Sequence, residues 1–174
     1  MTSVILIGYR CAGKTTVGRA LARRLGWGFV DTDEMVEEEA GRDVAALFRE
    51  EGEESFRRRE ERAVGRALVL GRHVVALGGG AVTREANRKR LTGAAGLVVF
   101  LEAGPEELAR RMEAEPGRRP ALWRRGGLEE IERLLPARLV HYRSLARRTV
   151  GTEGREVEDV AAEIERMVAE ERGS

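Results

Sequence analysis

Residues 8–16 read GYRCAGKTT and satisfy the pattern G-x-x-x-x-G-K-[ST], which constrains the fold more than any other feature of the chain. The apolar, largely β-branched run Val4-Ile5-Leu6-Ile7 leads into Gly8, and residues 17–25 carry apolar side chains at helical spacing before Gly26. Strand, loop and helix in that order are the context the pattern needs. Its glycines let the loop wrap closely, so that backbone N–H groups point inward at phosphate oxygens while the following helix offers its positive end. Lys14 is placed to bridge the β- and γ-phosphates and the Thr15 hydroxyl to ligate Mg2+, with Cys11, Ala12, Gly13 and Thr16 completing the candidate nucleotide site. A chance glycine-rich turn is the competing reading, and the flanking strand and helix weigh against it. ATP with Mg2+ is the expected ligand.

Such a strand needs a sheet, and the rest of the chain supplies one. Residues 28–31 read as a second short strand that ends in Asp31-Thr32-Asp33. Charged helices follow to about residue 70: Val44, Ala45, Leu47 and Phe48 give one an inner face, and residues 53–70 form another. His73-Val74-Val75-Ala76-Leu77 is a continuous apolar run that stops at Gly78-Gly79-Gly80, the pattern of a central parallel strand. After a helix near 84–91 come a fourth strand at 97–101, a helix over 106–113 begun by Pro105, and a helix over 128–147. A brief fifth strand at Thr149-Val150 and an amphipathic helix over 157–170 complete the alternation. Residues 114–127 hold two prolines, three glycines and a cluster of arginines with little periodicity, which predicts a mobile loop and a candidate lid. The expected class is α/β, one domain of 174 residues with a parallel sheet covered by helices on both faces. Ligands in such sheets lie beyond the carboxyl ends of the strands.

Charge narrows the partners. A formal net charge of +1, from 31 basic against 30 acidic side chains, gives no global field toward nucleic acid or an anionic membrane. Any anion site is therefore local. The lone Cys11 forms no internal disulfide and fits a reducing compartment, the cytoplasm, and the opening apolar run is too short to span a membrane. Nothing in the chain demands more than a monomer.

Several residues outside the loop are candidates for chemistry. Asp31 and Asp33 project to the same side if the chain stays extended, so one can serve Mg2+ and the other can orient a phosphoryl acceptor or take its proton. An Asp N-cap for a helix beginning near Glu34 is the alternative, and a residue can do both. Arg57 stands in the run Phe56-Arg57-Arg58-Arg59-Glu60, ordinarily a solvated helical face, although its spacing of three from Glu60 puts the two side chains together. Gly78-Gly79-Gly80 is either a plain turn or a place where a substrate lies against backbone. Arg118-Arg119-Pro120 can deliver a cation to the transferring phosphate as a loop closes, and Arg138 and Tyr142, four apart, share a helix face.

Together these segments resemble the shikimate kinase family over almost the full chain. The resemblance is carried by GYRCAGKTT, the DTD at 31–33, GEESFRRRE at 52–60, LGGG at 77–80, RRPAL at 118–122 and RLVHY at 138–142. It implies a nucleoside-monophosphate-kinase-like three-layer sandwich with a five-stranded parallel sheet in the order 2-3-1-4-5. It also implies a substrate-binding segment at about 33–62 and a mobile lid at about 112–126. The implied reaction moves the γ-phosphoryl group of ATP to the 3-hydroxyl of shikimate. Asp33 then binds the acceptor hydroxyls, Arg57 and Arg138 clamp the carboxylate, and Gly79 and Gly80 lie along the ring. By the same resemblance Arg119 is the lid arginine, catalytic with Lys14 and Asp33 and in contact with nucleotide. Arg155 contacts adenine, and Thr15 with Asp31 serves the metal. Two arginines from separate elements suit a small acid, because guanidinium forks fix a carboxylate's orientation.

The chain departs from the family pattern at Cys11, where glycine is usual, at Ala121, where leucine is usual, and at Arg118, which stands beside Arg119. Rival readings are a gluconate or nucleoside monophosphate kinase of the same fold, and a switch or nucleic-acid-associated ATPase. The arginine pair and the GGG oppose the first. Near-neutral charge and an aromatic content of 5% oppose the second.

Overall fold

The computed structural model describes residues 3–114 and 127–173. Its five strands are β1 (Ser3–Ile7), β2 (Gly28–Asp31), β3 (His73–Ala76), β4 (Leu97–Glu102) and β5 (Arg148–Gly151). They form one parallel sheet in the order β2-β3-β1-β4-β5. β1 is the middle strand and is buried along its whole length, which is why Val4 to Ile7 are continuously apolar instead of alternating. β5 lies at an edge and buries only Val150, so its signal in the sequence is the faintest of the five.

Helices cover both faces. α1 (Lys14–Leu25) packs on α7 (Val157–Gly173) and lies over β2 and β3. α6 (Gly127–Leu145) lies against β4 and packs on α4 (Glu85–Thr92) and α5 (Pro105–Ala114). Burying a Leu, Ile or Val side chain contributes about 1.5–3 kcal/mol, and β1, α1, β4 and α7 all feed one such cluster.

α2 (Thr32–Ala40) and α3 (Val44–Ala67) pack on each other around a separate small cluster of Val36, Leu47, Phe56 and Ala63. α3 is broken at Gly52, whose φ of 80° and ψ of 168° belong to no helix, and this is the division between two helices that the sequence spacing predicts. Phe48 before the break and Phe56 after it bring their rings to 4.6 Å. Among the described residues no helix is long and apolar enough to cross a membrane.

Candidate active site

A cleft of about 1210 Å³ opens at the carboxyl ends of the central strands. One wall is the loop after β1 together with the start of α1, and Asp31, Asp33, Gly79, Arg111 and Arg155 face the same space. Within the loop the Lys14 ammonium donates to the carbonyls of Gly8 (2.9 Å) and Tyr9 (2.7 Å), which holds its charge at the loop's mouth. Cys11 has φ of 61°, a left-handed conformation that suits glycine better than a side chain bearing Cβ.

Thr15 and Asp31, both expected to serve Mg2+, are brought together: Thr15 Oγ1 donates to Asp31 Oδ2 at 2.7 Å. Asp31 also caps α2, its Oδ1 accepting from the Asp33 N–H at 2.9 Å. The helix begins at Thr32, earlier than the expected start near Glu34, so Asp33 lies in its first turn and the strand does not continue past Asp31. The two carboxylates therefore face one cleft through a strand-to-helix turn and not through strand alternation. Oxygen donors from one hydroxyl and one carboxylate fit Mg2+, which keeps waters and takes phosphate oxygens to complete its octahedron. Among the described residues no group of three or more His, Cys, Asp or Glu side chains is arranged to hold a metal.

Arg57 departs from the solvated-face expectation. Its side chain is 13% exposed while that of its neighbour Arg58 is 60% exposed. The guanidinium donates to Glu60 at 2.8 Å and to Glu53 at 3.2 Å, and Glu60 is itself only 1% exposed. Burial pushes the Glu60 carboxyl above its ordinary range, with Arg57 and then Arg138 and Arg84 opposing the shift. Burial works against the Arg57 charge too, and Glu60 and Glu53 more than offset it.

The glycine tract is where these pieces meet. A Cβ on Gly78 would come within 2.5 Å of Asp33 Oδ1 and 2.6 Å of Glu60 Oε1. On Gly79 it would meet the Arg10 backbone nitrogen at 2.9 Å, and on Gly80 it would land on the Arg57 guanidinium. The tract is more than a plain turn, because four facing groups occupy the space that its side chains would take. Gly78 N–H also donates to Thr32 Oγ1 at 2.9 Å, and the Tyr142 hydroxyl donates to the Gly79 carbonyl at 2.5 Å. Arg57, Gly80 and Arg138 do not line the cleft itself. They form an adjoining layer, with the Arg138 guanidinium carbon 5.1 Å from the centroid of the Tyr9 ring.

Two fastenings have no counterpart in the sequence reading. Arg111 in α5 reaches the Cys11 carbonyl (3.4 Å), Thr152 Oγ1 (3.1 Å) and the Thr152 carbonyl (2.8 Å), tying the phosphate-type loop to the segment after β5. Only its i,i+4 spacing from Glu107, which accepts from it at 2.6 Å, was visible in the sequence. Hydrogen bonds from Arg110 and Arg111 hold the Glu107 carboxyl down to about 2. Arg10 forms a buried ion pair with Glu130 in the first turn of α6 at 2.9 Å, and no local spacing rule connects two residues so far apart. Arg155 donates to the Gly151 carbonyl at 3.1 Å and pairs with Glu163 at 2.7 Å at the far wall of the cleft. Arg118, Arg119 and Ala121 lie outside the described residues, and residues 112–114 of the expected lid form the end of α5.

A family model for shikimate kinase matches residues 10–169. The chain is 45% identical to a shikimate kinase of Symbiobacterium thermophilum across 98% of this chain and 99% of that one. It is 41% identical to a shikimate kinase of Thermus thermophilus across 99% and 95%. Its fold superimposes on a shikimate kinase from Acinetobacter baumannii in complex with shikimate with a TM-score of 0.91, at 33% identity and with coverage of 98% and 94%.

Proposed function

The chain belongs to the shikimate kinase family, and from that premise we propose how its own residues carry out the ATP-dependent phosphorylation of shikimate at the 3-hydroxyl. The reading is carried by one observation: a nearly buried Arg57 guanidinium lies directly on Gly80, in the same tract where Gly78 touches Asp33. A charge is seldom buried without a purpose, and here it stands beside the nucleotide cleft, where an acidic acceptor has to dock.

Arg57 and Arg138 hold the acceptor's carboxylate as two forks from different helices, α3 and α6. Gly79 and Gly80 leave room for a ring against the backbone. Asp33 accepts a hydrogen bond from the 3-hydroxyl, directs its oxygen at the γ-phosphorus and takes its proton as the bond to ADP breaks. The loop of residues 8–16 wraps the phosphates with its N–H groups, Lys14 turns from the Gly8 and Tyr9 carbonyls to the β- and γ-oxygens, and Thr15 with Asp31 holds Mg2+. Held there, Mg2+ would supply positive charge to offset what builds on those oxygens. Arg155 takes the adenine side, and Arg119 is proposed on its sequence motif alone as the cation that completes the closed site. The segments at about 33–62 and 112–126 act as acceptor arm and lid of a single domain.

The even charge balance supports an enzyme that engages small molecules and neither nucleic acid nor membrane, the lone Cys11 supports the cytoplasm, and the site's assembly from elements of one chain supports action as a monomer. The test is ADP release from Mg-ATP with shikimate, gluconate, AMP, CMP or no acceptor. Stimulation by shikimate alone, with formation of its 3-phosphate, is expected. Stimulation by another acceptor would remove the roles given to Arg57 and Arg138.

A further inference from the structure

An arginine that orients a carboxylate has to be held in one direction, and in this chain the surface under Arg138 comes from the nucleotide loop. Tyr9 is 2% exposed, and the Arg138 guanidinium carbon is 5.1 Å from the centroid of its ring. The Arg10 guanidinium carbon is 5.8 Å from the same centroid. Glu130, two helical turns before Arg138 on α6, grips Arg10 at 2.9 Å. Tyr142, one turn after Arg138, fastens the helix to the Gly79 carbonyl and stacks on Phe100 with centroids 5.1 Å apart. The Arg138 side chain is thus bracketed by two fixed points of its own helix, with an aromatic face between them.

Burial raises the Tyr9 pKa against the opposing pull of the Arg10 and Arg138 charges, so that the phenol stays neutral, with Arg10 as the polar partner beside its hydroxyl. What Tyr9 presents to Arg138 is its ring face, whose negative quadrupole attracts a planar cation most strongly where water is excluded. We propose that Tyr9 is a positioning residue for the acceptor: its ring fixes the direction of the Arg138 guanidinium. This inference rests on the reading of Arg138 as a carboxylate ligand. A tyrosine that merely filled core volume would be replaceable by any apolar side chain of similar size.

The experiment is steady-state kinetics on the wild-type enzyme, Tyr9→Phe, Tyr9→Met and Tyr9→Leu, varying shikimate and ATP separately, with thermal melting as a check on folding. Tyr9→Phe keeps the face and is expected to hold the shikimate KM within about twofold. Tyr9→Met and Tyr9→Leu lose it and should raise that KM by about 3- to 30-fold, the span of a cation–π contact from half-exposed to desolvated. The ATP KM should stay within about twofold. In an Arg138→Gln background, where the cation is already gone, Tyr9→Met should add less than about twofold. The inference is overturned if Tyr9→Met and Tyr9→Leu leave the shikimate KM unchanged, if Tyr9→Phe is as damaging as they are, or if ATP KM rises in step. It is also overturned if Tyr9→Met acts undiminished beside Arg138→Gln. Wild-type enzyme inactive toward shikimate would remove the functional reading and this inference with it, whereas an active wild type with an unmoved KM in the variants removes the inference alone.

Discussion

Thr15 Oγ1 donates a 2.7 Å hydrogen bond to Asp31 Oδ2, so a hydroxyl at the start of α1 and a carboxylate at the end of β2 are already oriented toward each other. The same carboxylate caps α2 through the Asp33 N–H, so the proposed metal support and the proposed acceptor-orienting residue are tied by one hydrogen bond. Asp31→Ala should raise the Mg2+ concentration for half-maximal activity by about 10- to 100-fold, as loss of supporting groups around a metal does. Removing Mg2+ with a chelator should abolish turnover in every variant. An unchanged Mg2+ titration in Asp31→Ala would refute the assignment.

Asp33 is expected to matter more for turnover than for docking. Asp33→Asn keeps an oxygen that can accept a hydrogen bond but cannot take a proton at neutral pH, so kcat should fall by about 10²- to 10⁴-fold with shikimate affinity within a few fold. Equal losses in both would make Asp33 a binding group only.

The glycine tract separates two kinds of crowding. Gly80→Ala meets the end of a long side chain and should displace Arg57, raising the shikimate KM while the ATP KM holds. Gly79→Ala meets the Arg10 backbone nitrogen, which cannot swing aside, and should lower both stability and the affinity for ATP. Matching kinetic profiles for the two variants would argue against this division.

Cys11 is held at φ of 61°, which costs a residue with Cβ about 1–2 kcal/mol. Glycine removes that strain but brings back about 0.5–1 kcal/mol of chain entropy, so Cys11→Gly should raise Tm by about 1–3 °C, read by calorimetry. Since Cys11 also lines the cleft, alkylation of its thiol should inhibit and Mg-ATP should protect. Full activity after stoichiometric labelling would contradict the placement.

Glu60 makes stability depend on pH in a direction opposite to an ordinary surface carboxylate. Its folded pKa is raised above the usual 4.5, chiefly by burial, so between 4.5 and the raised value the folded state binds more protons than the unfolded one. The group's contribution therefore falls as pH rises through that window and is largest below it. Subtracting the stability profile of Glu60→Gln from that of the wild type should isolate this downward slope. An upward slope would mean that Arg57 outweighs burial.

The sheet was legible because β1, β3 and β4 are buried on both faces and read as unbroken apolar runs, and the phosphate-type loop because its spacing is a local rule. The break in α3 was legible as two separate helices, one with Val44, Ala45, Leu47 and Phe48 turned inward and another from 53 onward, divided at Gly52. The Arg57–Glu60 pairing was legible from a spacing of three, but the burial was not, since Arg57, Arg58 and Arg59 look alike in a row and only the rotation of α3 against the glycine tract decides which one is buried. Arg10 with Glu130 and Arg111 with Thr152 were out of reach altogether, because tertiary docking of α6 and of the segment after β5 brings them together and no periodicity records it.

β1 takes its hydrogen-bonded neighbours from β3 and β4, which lie far downstream in the chain. During synthesis at about 5–20 residues per second, the first strand and its loop therefore wait for seconds without either flank. Nucleotide cannot help this protein fold early, for the loop that grips it is framed only once the middle of the chain has left the ribosome. Until then α1, next in the chain, is the nearest element able to cover the apolar run of β1, and a slow-translated stretch placed before β4 would lengthen that exposure.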